Sequence, residues 1–458
     1  MSKDLFEQFD AVSAKQWKQS IQAGLRGADY NETLLTQTPE GITIKPFYNA
    51  EDLKDAPANI PHPSSWAVTQ ALYIGDVRIA RGLMIKSLEG GAEALLLRAD
   101  EAFEVEKLLE GLTLEGIAIY ADFNFADAAF LESFTTKAKS KGAQIHLGVD
   151  IIGNLGKSGN WYKDNESDHN FLSTSLNISS ADTVMGVEVS IYGNAGATAV
   201  QQLAYALAHT NEYLNHLFQN EQLSKEIAIG YRWAIGPNYF MEIAKLRAFR
   251  LMLESLANEY GINISSDHLA SPSSRNKTIY DPNVNMLRTT TECMSAILGG
   301  ANAVCNLPYD HSYHKSNEFG ERISRNQLLI LKHESYFEKV QNPADGSYYI
   351  EELTRSLAES ALELFKQIEA AGGFVKALFE GTIQRKIKEQ ADSQQEAFDT
   401  DEYQLLGTNL YPNQEEKISQ TVEIYPFLKT ESRKTLITPI ISKRIAEKHE
   451  KNRLDNEK

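Results

Sequence analysis

The amino-acid sequence predicts an α/β fold: a (β/α)₈ TIM barrel with an N-terminal extended and helical arm and a C-terminal helical extension. Eight short apolar runs follow one another from residue 66, and each is followed by a helical pattern. Strands that alternate with helices pair in parallel through right-handed crossovers. The eight units fill about 270 residues, which is close to the usual size of such a barrel.

The predicted strands follow a regular order along the chain. They are 66–74, 92–99, 117–123, 144–150, 184–192, 227–234, 262–268 and 301–310. Glycine, which commonly ends a helix in a left-handed conformation, precedes several of them: Gly91, Gly142, Gly261 and Gly300. The alternative is an open doubly wound sheet, but Gly75 and Gly82 after the first strand lack the GxGxxG spacing of its phosphate loop.

The chain divides into three predicted parts. Residues 1–65 form an arm and linker for partner contact, 66–337 the barrel, and 338–458 a helical extension with a polar tail. In the arm, Trp17, Ile21 and Leu25 recur every four residues, which is typical of one helix face. We expect residues 151–183 to form a long surface connection, and the structure of the tail from 391 to 458 stays open.

Composition excludes two classes of partner. The formal charge of 45 − 62 = −17 repels nucleic acid and anionic membranes, although it leaves open a partner with a basic face. No run of 18 apolar residues occurs, and the first residues do not resemble a signal peptide. We therefore expect a cytoplasmic protein.

Reactions on a TIM barrel take place at the carboxyl ends of its strands. The predicted ends carry Tyr73, Arg98, Asp122, Asp150, Tyr192, Asn194, Trp233, Asp267, His268, Tyr309, Asp310 and His311. The most reactive pattern is Asp267-His268, followed by Ser271, Ser273, Ser274 and Arg275. Adjacent residues of a regular strand face opposite ways, so Asp267 and His268 cannot both point into the barrel.

Other polar groups have both functional and structural interpretations. The segment 310–316 holds a carboxylate and two imidazoles, but its spacing matches no established metal pattern. Arg322 and Arg325 could clamp a phosphate or carboxylate, or pair with neighbouring glutamates. We expect Cys293 and Cys305 to be buried reduced thiols. Three further histidines are assigned to packing or to the surface: His146, His209 and His216.

Several long segments resemble, in order, the barrel of methylmalonyl-CoA mutase and its acyl-CoA mutase relatives. They are 38–53 ("TPEGITIKPFYNAEDL"), 194–214 ("NAGATAVQQLAYALAHTNEYL"), 234–252 ("AIGPNYFMEIAKLRAFRLM"), 281–310 and 319–354. The resemblance implies a (β/α)₈ barrel with an arm that embraces a partner chain. It also implies a rearrangement between methylmalonyl-CoA and succinyl-CoA, in which adenosylcobalamin supplies the radical.

The sequence departs from the pattern of active family members in three places. None of the ten histidines lies in the Asp-x-His-x-x-Gly motif whose imidazole binds cobalt. Thr69 and Ala71 stand where the family has the Arg and the substrate-contacting Tyr of Arg-Gln-Tyr-Ala-Gly. Ile191 stands where a His would bond the thioester carbonyl, and Ile cannot donate a hydrogen bond to developing charge.

Bulky aromatics in the strands point in the same direction. A barrel that threads a pantetheine chain along its axis needs small side chains inside. We expect the channel to be plugged if even half of five aromatic residues face inward: Trp66, Tyr120, Tyr192, Tyr231 and Trp233.

The sequence therefore predicts a non-catalytic chain with no catalytic, cofactor or metal residues of its own. Its partner in a heterodimer would be a homologous large subunit that holds adenosylcobalamin and performs the reaction. Two alternatives stay open, namely an independent TIM-barrel enzyme that uses Asp267 and His268, and a module that binds CoA esters.

Overall fold

A closed barrel of eight parallel strands lies at the centre of the computed structural model, which describes residues 10–53, 60–429 and 432–457. Each strand pairs with the next along the chain, and the last strand closes the barrel against the first. The predicted fold class is confirmed. Residues 1–9 and 54–59 of the predicted arm and linker lie outside the described residues.

The barrel strands agree with the predicted runs, apart from their ends. Two short antiparallel strands of the arm come first, β1 (Thr36–Gln37) and β2 (Thr43–Ile44). The barrel strands are β3 (Ala67–Tyr73), β4 (Ala94–Ala99), β5 (Ala118–Phe123), β6 (Gln144–Val149), β7 (Thr183–Glu188), β8 (Glu226–Ile235), β9 (Asn263–Pro272) and β10 (Ala303–Cys305).

Helices surround the barrel and form both extensions. Those of the arm and barrel are α1 (Ala14–Gly24), α2 (Tyr30–Leu34), α3 (Val77–Glu89), α4 (Val105–Leu109), α5 (Ala128–Lys139), α6 (Ile151–Ser158), α7 (Asn165–Ser175), α8 (Ser190–Ala195), α9 (Ala199–Gln219), α10 (Tyr239–Tyr260), α11 (Val284–Leu298) and α12 (Glu318–Leu329). The extension holds α13 (Tyr348–Ala370), α14 (Phe374–Phe379), α15 (Thr382–Asp399) and α16 (Glu447–Asn456). No helix in the described parts of the chain is long and apolar enough to cross a membrane.

Local sequence explains where many helices begin and end. Asn317 caps α12 by accepting a hydrogen bond from the Gly320 amide at 2.8 Å. The four glycines before strands all have positive φ angles, between 61° and 93°. A side chain at these positions would strain the backbone, so glycine fits the turn from helix to strand.

Two separate apolar layers form the core of the barrel. The larger lies between strands and helices and includes Tyr231, Trp233 and Phe249. The smaller lies inside the barrel and holds mainly small side chains, with Tyr120 and Leu96 as its larger members. The outer layer therefore provides most of the apolar burial that stabilises the fold.

The condition for a channel plugged by aromatic residues is not met, because four of the five residues do not face into the barrel. Tyr231 and Trp233 pack against Phe249 of α10, at ring distances of 4.7 and 5.0 Å. Tyr192 lies on α8 rather than on a strand, and Trp66 belongs to the outer layer. Tyr120 alone points inward. Facing follows from strand register, which composition does not reveal.

Residues 151–183 are also more ordered than expected. They form α6, α7 and the start of β7 rather than a long surface connection, and Ile151, Leu155 and Leu172 are buried. The tail is likewise packed: residues 435–446, here called the strap, run across the loops at one end of the barrel before α16 begins. Ile437 and Ile440 of the strap belong to the outer core layer.

Candidate functional site

A small polar cavity lies inside the barrel near the carboxyl ends of β5 to β8. Its volume is about 60 Å³, and its walls include Tyr120, Asp122, His146, Glu188 and Arg232. A cavity needs about 10–15 Å³ to hold one water molecule, whereas small-molecule sites usually occupy about 300–1,000 Å³. The cavity therefore accepts a few waters but no acyl-pantetheine chain.

An ion cluster fills the space beside this cavity. The Arg232 guanidinium lies 2.8 Å from Asp122 and 3.6 Å from Glu188, and it donates a hydrogen bond to the Ala121 carbonyl. Arg98 reaches Asp122 from the rim at 3.1 Å. The two carboxylates and two guanidinium groups balance one another, so the cluster can persist in a region of low dielectric.

The cluster shifts the pKa values of its carboxyl groups in opposite directions. Burial alone would raise the pKa of Asp122, but Arg232 and Arg98 outweigh it and lower that pKa to about 2. Burial raises the pKa of Glu188, because Arg232 offsets it only in part and Asp122 adds repulsion. Asp122 is thus the principal counter-ion of Arg232.

Glycines on three neighbouring strands make room for Arg232. A Cβ at Gly148 would lie 2.6 Å from the Arg232 Nη2 atom, and one at Gly186 would lie 2.7 Å from the Gly148 Cα atom. Gly230 also lines the cavity. The Arg232 guanidinium therefore occupies space that side chains at these positions would fill.

Below the ion cluster, an aromatic pair crosses the barrel interior. The rings of Tyr120 and His146 stack at 4.6 Å with an interplanar angle of 13°. Tyr120 also hydrogen-bonds to Asp267, and His146 to Thr183. Burial is the main cause of the raised pKa of Asp267.

Asp267 and His268 do not form a reactive pair. Asp267 lines the interior cavity, whereas His268 lies in the outer layer, where its ring stacks on Tyr231 and Trp233 at 5.3 and 6.1 Å. The His268 Nδ1 atom accepts a hydrogen bond from the Trp233 indole at 2.9 Å. Burial lowers the pKa of His268 well below its usual value. The predicted opposite facing is confirmed.

Ser273, Ser274 and Arg275 follow β9 and serve loop structure, whereas Ser271 lies on β9 itself. Asn194 accepts hydrogen bonds from the Ser273 hydroxyl at 2.9 Å and the Ser274 amide at 3.0 Å. Arg275 is buried and donates to the Gln394 side chain at 2.5 Å and to the Lys443 carbonyl at 3.0 Å. These contacts join the β9 loop to the C-terminal extension.

Asp150, at the end of β6, is buried and fully engaged. It accepts hydrogen bonds from His209, Tyr213 and Gly153 at 2.9, 2.6 and 2.6 Å, and from the Glu188 amide at 2.6 Å. Burial alone would raise the pKa of Asp150, but His209 and these hydrogen bonds lower it overall. The arrangement fixes α6 rather than offering a base to a ligand.

The polar end of β10 fixes loops. Asn306 donates to the Ser324 carbonyl and the Gln327 side chain, each at 3.0 Å. Asp310 accepts from Asn317 at 2.7 Å and lies 3.0 Å from His314. No group of three or more metal-binding side chains occurs among the described residues, so the metal interpretation of 310–316 has no support.

The arginine clamp does not form. The Arg325 guanidinium donates to the Gly90 carbonyl at 2.9 Å and to the Gln70 side chain at 3.1 Å, while Arg322 is exposed. Gln70 in turn donates to Glu321. Arg325 therefore joins α12 to β3 and to the end of α3, a structural role that differs from both sequence interpretations.

The three positions that depart from active family members lie in different settings. Thr69 is buried on β3, and its hydroxyl donates to the Ala67 carbonyl at 3.3 Å. Ala71 packs against the small interior layer, whereas Ile191 lies on α8 in the outer layer. The two cysteines, Cys293 and Cys305, are buried free thiols, as predicted.

Sequence reasoning missed part of the interior group. Arg232 was hidden within the apolar run of β8, and His146 was assigned to packing although it also lines the cavity. The sequence nevertheless contained a usable signal. When the strands are counted in register, six residues lie on the same inward face: Asp122, His146, Gly148, Glu188, Gly230 and Arg232. Such counting requires strand ends that are known to within one residue.

Comparison with known proteins agrees with the resemblance found in the sequence. The family model for methylmalonyl-CoA mutase matches residues 97–456. A Porphyromonas gingivalis protein named methylmalonyl-CoA mutase small subunit is 34% identical over 89% of this chain and 71% of that protein. A Streptomyces virginiae protein of the same name is 30% identical, over 84% of this chain and 68% of that protein.

A longer relative shows how much of the family this chain spans. The Rhizobium meliloti methylmalonyl-CoA mutase is 27% identical over 90% of this chain, but the match covers only 65% of the relative. This chain thus spans slightly less than two-thirds of that mutase. On the family-model match and the similarity to small subunits, the chain belongs to the methylmalonyl-CoA mutase family.

Proposed function

We propose that the chain is the non-catalytic small subunit of a heterodimeric, adenosylcobalamin-dependent methylmalonyl-CoA mutase. A homologous large subunit would hold the cofactor and interconvert methylmalonyl-CoA and succinyl-CoA. The observation that carries the proposal is the barrel interior, where Arg232, Asp122 and Glu188 occupy the region beside a cavity of about 60 Å³. A substrate channel would have to pass through these groups.

The substituted positions support the same proposal. Ala71 and Ile191 replace groups that the family resemblance assigns to substrate contact, and Thr69 replaces the Arg of the same motif as Ala71. Catalysis requires donors that are held where charge develops in the transition state, and removal of one such donor typically costs about 2.7–4 kcal/mol. An aliphatic side chain at Ile191, buried in the outer layer, supplies no such donor.

The described residues of the barrel interior and its carboxyl face do not fit adenosylcobalamin. The interior cavity of about 60 Å³ is far smaller than a corrin ring. Near the carboxyl face, His209 is fully buried between Tyr192 and Asp150, with contacts of 3.0 and 2.9 Å to its two ring nitrogens. His311 is paired with the Pro308 carbonyl and Ser312. We therefore assign the cofactor to the partner chain.

The arm offers a surface for this partner. Helix α1 has no buried residue, and Trp17 at 54% exposure contacts only the edge of Phe47 at 6.1 Å among ring contacts. Beside it, a groove of about 630 Å³ lies between the arm and the starts of α10 and α13, and aromatic rings such as Phe240 and Tyr348 line it. Aromatic residues are enriched at protein–protein interfaces.

Coexpression with a homologous large subunit tests the proposal. We expect the two chains to elute together in equimolar amounts and to show mutase activity when adenosylcobalamin is supplied. The chain alone should be inactive, and the large subunit alone is the matched control for assembly. Failure of the chains to associate, or turnover by this chain without its partner, would refute the proposal.

A further inference from the structure

The strap, residues 435–446, follows a single path over one side of the barrel. Its backbone amides donate hydrogen bonds to three separate segments: Leu436 and Ile437 to the Gly159 carbonyl, Ile440 to that of Gly156, Lys443 to that of Asn194, and Ile445 to that of Arg275. The distances lie between 2.8 and 3.2 Å. All three segments follow the carboxyl ends of strands, namely β6, β7 and β9.

These hydrogen bonds satisfy groups that helices leave open. The last four carbonyl groups of a helix have no partner within that helix. Gly156 belongs to the last turn of α6 and Asn194 to the last turn of α8, and each carbonyl accepts from the strap. The strap therefore completes the hydrogen bonding of two short helices at the mouth of the barrel.

Side chains fix the strap in the same position. Ile437, Ile440 and Ile445 are at least 95% buried, whereas Leu436 and Ile441 face outward at 60% and 49% exposure. The Arg444 side chain is buried, donates to the Lys277 carbonyl at 3.1 Å and pairs with Glu450 of α16. Apolar burial and a buried ion pair thus hold one face of the strap on the barrel.

Close packing at Gly159 depends on the absence of a side chain. This residue has a φ angle of 81°, and a Cβ there would lie 2.8 Å from the Ile437 carbonyl oxygen and 2.9 Å from Pro439. Gly116 has a similar φ angle of 76°, but a Cβ there would meet nothing within 4 Å. The two glycines therefore differ in contact with the strap but not in backbone strain.

We propose that the strap is an intramolecular cover for the β6–β9 side of the barrel's carboxyl face, and that it stays in place when a partner chain binds. Reactions on TIM barrels occur at this face, so a cofactor domain would have to approach across it. The chain itself already occupies that approach. The second half of this inference rests on the proposed function, and it directs the partner towards other surfaces such as the arm.

Hydrogen exchange of the full chain tests the cover directly. We expect slow exchange at the amides of Leu436, Ile437 and Ile440 in the wild-type chain. Gly159→Ala should speed exchange there by about tenfold or more, because local opening exposes hydrogen-bonded amides. Gly116→Ala should leave these amides unchanged. Thermal melting of both variants checks that each is folded. Single substitutions are used because deletion of the strap could itself unfold the chain.

Hydrogen exchange in the assembled complex tests whether the strap stays in place when the partner chain binds. Equal strap exchange in the free chain and in the complex is the expected result. Fast strap exchange in the free wild-type chain, or equal effects of the two glycine variants, would overturn the cover. A strap that becomes about tenfold more protected in the complex would show that the partner covers this face, which also overturns the inference. If no complex forms, the proposed function fails, while the free-chain comparison still decides the cover.

Discussion

Replacement of Arg232 by Met tests the interior ion cluster most sharply. The change keeps most of the side-chain stem but removes the guanidinium that lies 2.8 Å from Asp122 and 3.6 Å from Glu188. Both carboxylates then stay in a region that is closed to bulk water on most sides. We expect the variant to fold with a clearly lower free energy of unfolding.

The magnitude follows from the exposure of the three groups. Removal of one partner from a buried ion pair typically costs about 3–5 kcal/mol. The side chains of Arg232, Asp122 and Glu188 are 16%, 25% and 21% exposed, so water screens part of the unpaired charge. The low end of the range, about 3 kcal/mol, is therefore the expected loss.

Urea denaturation followed by circular dichroism measures this loss, with Arg98→Met as the matched control. Arg98 contacts the same Asp122 carboxylate, but its side chain is 49% exposed, so its removal should cost about 0–1 kcal/mol. The triple variant Arg232→Met, Asp122→Asn, Glu188→Gln should recover much of the stability, because no buried charge is left unpaired. Equal effects of the two arginine variants would refute the assignment of Arg232 to a closed interior cluster.

Three further measurements follow from the structure. Because the arginines lower the pKa of Asp122 to about 2, the contribution of Asp122 to stability is complete above about pH 4 and is lost as pH falls towards 2. The difference in free energy of unfolding between wild type and Asp122→Asn should therefore shrink from about pH 4 to about pH 2. A constant difference would count against the ion pair. Burial raises the pKa of Cys305 to about 11, and Cys293 is buried as well. Both thiols should therefore resist a thiol reagent at about pH 8 until urea unfolds the chain. Rapid labelling of the native chain would instead place a thiol at the surface. Trp17→Ala should weaken association with the large subunit at least tenfold, since a buried interface aromatic typically contributes about 2 kcal/mol or more. The control Phe218→Ala removes another exposed aromatic, outside the arm, and should leave association unchanged. Equal effects of the two variants would exclude the arm as the docking surface.

Sequence reasoning identified the barrel because its signals are local. Apolar runs, glycines such as Gly91 and Gly300 at helix ends, and the Asn317 cap each depend on a few neighbouring residues. The same reasoning placed Asp267 and His268 on opposite faces, because alternation along one strand requires no knowledge of other strands.

The interior was harder to predict because it depends on register between strands. Tyr231 and Trp233 are bulky enough to plug a barrel, yet they face the helices, and the charged Arg232 between them faces inward. A shift of one residue reverses this assignment for every side chain of the strand. The strap was also beyond reach, since its polar and apolar residues follow no period and their order comes from contacts with α6 and α8.

We propose that this barrel does not carry out the radical rearrangement by itself. The most direct measurement is an anaerobic assay in which the purified chain, without any partner, receives methylmalonyl-CoA and adenosylcobalamin, with succinyl-CoA formation followed over time. The closed interior around Arg232 predicts no product above the protein-free control. Sustained succinyl-CoA formation by the isolated chain would contradict the account.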